Sequence, residues 1–310
     1  MTPAETSRIA AWRRPGAVVW FWAWRLFVAW MAAAPVGRAF AGTGVGRLPD
    51  GDGALFQPGG LLLVETLRIG GGVLGAAMRG ATTTTMVLGA VGLLPLSALL
   101  AALCHSGKLR LSTWTARALE HVPAFALLSG ITLVLQALLA MLTTAMLFAL
   151  DDPLRRFFDE RAHELALATL ALPAVLAALF FGLAEDVARA HAVRRRSTGW
   201  RAWLAALGLL LRRPGAVLIG WFAPALWAIA ALGAAELLTR ALDVSQPGAA
   251  RLLGVVVVHQ LAALVFAFGR ASWLARALVL VDHASGGAPS PADTFEAASV
   301  PADPSPAPAA

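Results

Sequence analysis

Apolar residues run along this chain in long blocks; they neither alternate with polar ones at the period of a strand nor mark a single stripe of a surface helix. Six blocks, 15–36, 85–104, 123–150, 165–184, 214–236 and 251–270, reach the roughly 20 residues that a helix needs to cross hydrocarbon. The third is long enough to tilt or to project beyond the bilayer. Pro95, Pro173 and Pro224 fall inside the second, fourth and fifth blocks. Bends are expected there, because helix neighbours in a membrane re-satisfy the freed carbonyls. A seventh stretch, 58–79, is interrupted by Glu65, Arg68 and Gly70-Gly71-Gly72. It reads as an amphipathic helix lying in the outer interface.

The blocks carry a repeat. Arg13-Arg14-Pro15-Gly16-Ala17-Val18 recurs letter for letter as Arg212-Arg213-Pro214-Gly215-Ala216-Val217, each copy immediately before a block. Arginine stays at lipid headgroups, and proline suits a first helical turn, where its missing N–H has no partner in any case. The fourth and sixth blocks also share an ending: Phe181-Gly182 then Ala188-Arg189-Ala190, and Phe268-Gly269 then Ala275-Arg276-Ala277. The third block opens with Pro123 after a short amphipathic lead from Trp114 to Leu119. Comparable leads, Ile9 to Trp12 and Trp200 to Leu211, precede the other two opening prolines. The economical reading is an all-α, polytopic membrane helix bundle: six spans in three parallel hairpin repeats, 9–107, 112–196 and 198–283, with interfacial amphipathic helices. One membrane domain then occupies 1–283. The Pro/Ala-rich tail, 284–310, has too little apolar surface to fold and is expected to be disordered.

Composition agrees with this class. Hydrophobic residues make up 58% and charged residues 14%, and mean hydropathy is +0.70, against about 45–50% apolar and about 25% charged in a soluble domain. The net charge of +7 comes almost entirely from arginine, Lys108 being the one lysine. Arginines cluster at block ends, which points to anionic lipid headgroups at the inner face as partners, with other membrane proteins as a second class, and not to nucleic acid. The 185–213 segment holds Arg189, Arg194, Arg195, Arg196, Arg201, Arg212 and Arg213. On the expected outer side, Arg155, Arg156 and Arg161 stand among Asp151, Asp152, Asp159 and Glu160. The bias puts both termini in the cytoplasm of a bacterial inner membrane. Residues 1–41 also have the outline of a signal peptide ending at Ala39-Phe40-Ala41, a reading weakened by Arg25 in its core and by the second copy of the hexapeptide deep in the chain. Cys104 is alone and reads as a small hydrophobe.

Candidate chemistry is sparse. Arg25 lies about 15 Å beyond Pro15 at 1.5 Å per residue, where a cation costs about 2.5–3.5 kcal/mol. Gln136, His259 and Gln260 are expected at similar depth. A cluster of these four would bind a polar or anionic ligand; alternatively they join helices, and Arg25 snorkels along a Trp-rich surface. Glu185, Asp186 and Arg189, and likewise Glu236 and Arg240, have the spacing of structural charge pairs on a helix. Glu160 and His163 form one Glu-x-x-His where a di-iron bundle needs two, so no metal site is expected. No cofactor fingerprint or soluble-type catalytic motif is present in the sequence.

The spans, the Arg-Pro openings and the Ala-Arg-Ala endings, taken over about 15–283, resemble uncharacterised six-span bacterial inner-membrane proteins. A looser likeness is to the membrane domain attached to some glycerophosphodiester phosphodiesterases. The resemblance implies a six-span membrane domain and supplies no catalytic residue. The expected role is therefore non-enzymatic, as scaffold, partner subunit or lipid-organising protein. The alternative is a small-molecule transporter or permease component built around Arg25.

Overall fold

A computed structural model describes residues 10–42, 61–105, 111–242 and 249–284. Every regular element among them is helical: a 3-10 turn at Ala11–Arg13, then α1 (Pro15–Gly42), α2 (Leu61–Val91), α3 (Leu93–Cys104), α4 (Leu111–Phe157), α5 (Glu160–Arg195), α6 (Gly199–Arg212), α7 (Pro214–Ala241) and α8 (Ala249–Ala284). Among the described residues six stretches are long and apolar enough to cross a membrane: Pro15–Ala39, Gly70–Cys104, Ser112–Phe157, Glu160–Arg195, Pro214–Ala241 and Ala250–Ala284. The tail from 285 onward, the start of the first lead and the segment with Lys108 and Arg110 lie outside the described residues.

The two hexapeptides behave alike. Pro15 and Pro214 are the first residues of α1 and α7, and both helices are 28 residues long. In each copy the carbonyl before proline accepts the first helical bond, from Val18 N to Arg14 O at 3.2 Å and from Val217 N to Arg213 O at 3.3 Å. Both valines are fully buried. Pro123 differs from the expectation that it opens a span. It sits inside α4, so the third lead and the third span are one helix of 47 residues, about 70 Å long at 1.5 Å per residue. Apolar packing continues across the join, with Ala118, Phe125 and Leu128 all buried.

The described part of 58–79 is helical, as expected, but it is not a separate helix. It is the first half of α2, which runs through Gly70-Gly71-Gly72 without a break and continues to Val91. The two charges that interrupt it neutralise each other within one turn: Arg68 donates to Glu65 through Nε at 2.9 Å and Nη2 at 2.6 Å. That contact holds the Glu65 carboxyl below its ordinary pKa. The break falls further on, inside the expected second span, at Gly92. Pro95 supplies no N–H for the Val91 carbonyl and its ring crowds it, and α2 ends at Val91. A Cβ on Gly92 would lie 3.0 Å from the Trp24 indole nitrogen, so a larger residue would require the indole to shift where α1 approaches.

The described helices fall into two compact units, one within Ala11–Ala102 and Trp221–Trp273, the other within Leu103–Gly220 and the part of α8 from Leu274 onward. In the former, α1 packs along α2, and Gly269 of α8 comes so near α7 that an added Cβ would stand 3.0 Å from the Pro224 carbonyl. In the latter, α4 and α5 form an antiparallel hairpin, and α6 lies against both. Gly199 opens α6 at the closest point, where a Cβ would meet the Ala124 carbonyl at 3.1 Å.

Candidate functional site

The C-terminal end of α5 carries the densest polar structure. Ten of the residues from 183 to 194 are buried, the exceptions being Glu185 and His191, which are half-buried. The helix is rich in alanine here, which lets neighbours approach and leaves room for charged side chains among them. Arg189 donates from Nη2 to Ser129 Oγ on α4 at 2.8 Å and pairs with Glu185 one turn back. Its Nη1 lies 3.4 Å from Asp186 Oδ1, and its guanidinium stands 5.7 Å from the centre of the Phe125 ring. The charge-pair spacing of Glu185, Asp186 and Arg189 is thus realised as a buried cluster.

The two Ala-Arg-Ala endings act alike. Their flanking alanines, Ala188 and Ala190, Ala275 and Ala277, are all buried. Each arginine reaches across to the helix that precedes its own: Arg189 to Ser129 on α4, and Arg276 Nη1 to the Gly220 carbonyl on α7 at 3.1 Å.

A second buried ion pair was not expected. Arg194 Nε donates to both carboxylate oxygens of Asp282, at 2.8 and 3.0 Å, tying the end of α5 to the end of α8. Both side chains are about nine-tenths removed from solvent. Arg194 had read as one more member of a cationic belt. The available signal was Asp282 itself, the one acid in the 36 residues of α8. A lone carboxylate in so apolar a helix needs a cation, but spacing alone does not say which.

The four mid-depth candidates each find separate surroundings. Arg25 is exposed on α1, with its guanidinium 5.8 Å from the Phe21 ring centre and 5.3 Å from that of Phe266 on α8. Gln136 donates from Nε2 to the Ala178 carbonyl at 3.2 Å, linking α4 to α5. His259, also exposed, places Nδ1 2.9 Å from the Val255 carbonyl of its own helix. The buried Oε1 of Gln260 has no hydrogen-bond partner among the described residues. No hydrogen bond in the described structure joins any two of the four. Arg25, His259 and Gln260 belong to one compact unit and Gln136 to the other.

The remaining motifs have local roles. Glu236 and Arg240 pair at 3.0 Å on the exposed face of α7, which contributes little. His163 turns from Glu160 to the preceding helix, its Nε2 2.9 Å from Asp151 Oδ1. Asp159 caps α5 by accepting from the Ala162 N–H at 2.8 Å. Among the described residues no group of three or more His, Cys, Asp or Glu is placed to hold a metal ion. No protein-family model, curated protein or solved structure matches the chain, so its functional reading is built from these residues.

Proposed function

We propose that the chain is a multi-pass bacterial inner-membrane protein, with both termini cytoplasmic, that acts without catalysis as a scaffold, partner subunit or lipid-organising protein. The observation that carries this is the contrast within α5. Its most apolar window is 0% buried, with Leu172, Val175 and Leu176 more than half exposed, while the turns from 183 to 194 are packed and ion-paired. A helix that closes its polar end on its own chain and leaves its apolar side uncovered offers that side to lipid tails or to another helix. The three-hairpin arrangement is supported by the matched starts of α1 and α7 and by the matched arginine contacts of α5 and α8.

The transporter alternative requires Arg25, Gln136 and His259 to share a water-filled route, whereas each of them engages a partner of its own. Single cysteines at 136 and 259, in a Cys104→Ala background, test the choice. A membrane-impermeant maleimide should leave both unlabelled from either side. Labelling of both would reveal an aqueous pathway and overturn the scaffold reading in favour of transport.

A further inference from the structure

One cavity of about 390 Å³ lies between α5, α6 and the end of α8, within the range of about 300–1,000 Å³ common for small-ligand sites. Its lining is of two kinds. Leu204, Leu209 and Val281 supply apolar wall, and His191, Arg212 and Arg213 supply nitrogen donors, with no Asp or Glu among the lining residues. The His191 ring is held by Ser197, Nδ1 to Oγ at 2.9 Å. Both arginines are exposed side chains at the end of α6, and α6 itself is two-sided. Ala202, Trp203 and Ala206 are buried, while Trp200 and Leu204 on the other side are 56% and 51% exposed. Such a helix lies in a headgroup plane with its arginines at phosphate level.

We infer that this cavity seats one anionic phospholipid. The phosphate is held by Arg212 and Arg213 with His191 beside them, and the start of an acyl chain runs along Leu204, Leu209 and Val281. A guanidinium pair matches phosphate in charge and geometry. A free hydrated anion would leave the apolar wall uncovered, so the wall selects an amphiphile. The inference rests on the membrane reading above. The first hexapeptide provides an internal control, because among the described residues it is preceded only by a 3-10 turn that ends at Arg13 and by no counterpart of α6, and its Arg13 stands 5.0 Å from the Trp12 ring centre.

The full-length chain, purified and delipidated in detergent, is titrated with phosphatidylglycerol, with phosphatidylcholine of the same chains and with inorganic phosphate, and followed by native mass spectrometry and thermal denaturation. One retained phosphatidylglycerol with a raised Tm is expected. Arg212→Gln/Arg213→Gln should weaken binding about tenfold or more, and Arg13→Gln/Arg14→Gln should leave it unchanged. Gly208→Leu is a second, independent variant: Gly208 lines the cavity, and a Cβ there meets nothing within 4 Å. It should fill the space, abolish retention and leave the lipid-free Tm unlowered. Equal losses in the two arginine variants would reduce the site to a diffuse cationic belt and overturn the proposal. A phosphate response equal to that of phosphatidylglycerol, or a phosphatidylcholine response equal to it, would overturn it as well. Release of the chain from membranes by alkaline carbonate would sink the membrane reading itself, independently of the lipid result.

Discussion

The same six residues stand at two places in this molecule, and what they do there is half the same and half different. Both copies start a helix on proline, give it the same length and bury the valine that closes the motif. Their arginines diverge. Arg13 ends a 3-10 turn and lies over the Trp12 ring, whereas Arg212 and Arg213 stand at the end of a 14-residue amphipathic helix and line a cavity. The backbone outcome is local, because proline at a first helical turn and a following apolar run need nothing from the rest of the chain. What the cations contact depends on what packs beside them, and only the second copy adjoins elements closed by the buried Arg194–Asp282 pair.

Breaking that packed layer should give the largest effect. Asp282→Ala takes the carboxylate from a buried guanidinium, and a loss of about 3–5 kcal/mol is expected, read as a fall in Tm of the detergent-solubilised protein. The double change Arg194→Leu/Asp282→Leu should recover most of it, since removing both charges leaves neither stranded. A single-variant loss below about 1 kcal/mol would mean that the pair is hydrated and that the two regions differ less than their geometry indicates.

The shared half of the comparison is sharpened by Val18→Ala and Val217→Ala. Each removes two buried methyl-sized groups at about 0.8 kcal/mol apiece, so equal losses of about 1.5 kcal/mol are expected. Clearly unequal losses in the same thermal assay would show that the repeat is one of sequence and not of packing.

A smaller effect is expected where the copies diverge along the helix. Arg25 and Pro224 stand at the same offset from their opening prolines, and α8 approaches both, with Phe266 near Arg25 and Gly269 against the Pro224 carbonyl. Contact with aromatic rings at an exposed position is worth about 0.5–1 kcal/mol, so Arg25→Leu should change stability by no more than about 1 kcal/mol. A loss of several kcal/mol would make Arg25 the anchor of a polar core and restore the case for a mid-depth ligand site.

These contrasts track what was legible in the sequence. Pro15 and Pro214 announced their helices because the start signal is local. Glu185 with Arg189 and Glu236 with Arg240 were legible because partners one turn apart must meet if the segment is helical. Amphipathic α6 was visible from its periodicity, though its buried face against α4 and α5 was not. The failures share a cause. Pro123 looks like Pro15 in the sequence, but apolar packing through Ala118 and Phe125 carries the helix across it. The helix over 58–79 reads as separate from the second span, yet α2 runs through Gly70-Gly71-Gly72 to Val91 and breaks at Gly92, beside Trp24 and three residues before Pro95. Arg194 and Asp282 are 88 residues apart, and no spacing rule links them. The cavity was hidden for the same reason, since its walls come from three separate stretches.

The central claim is that both hexapeptide copies mark the cytoplasmic face of a protein that crosses the membrane between them. Single cysteines at 155 and 198, introduced into the full chain with Cys104→Ala and probed in spheroplasts with a membrane-impermeant maleimide, test it most directly. The account predicts that 155 labels in intact spheroplasts and that 198 labels only after permeabilisation. Labelling of both positions from the same side would contradict it, because α5 could not then cross the bilayer.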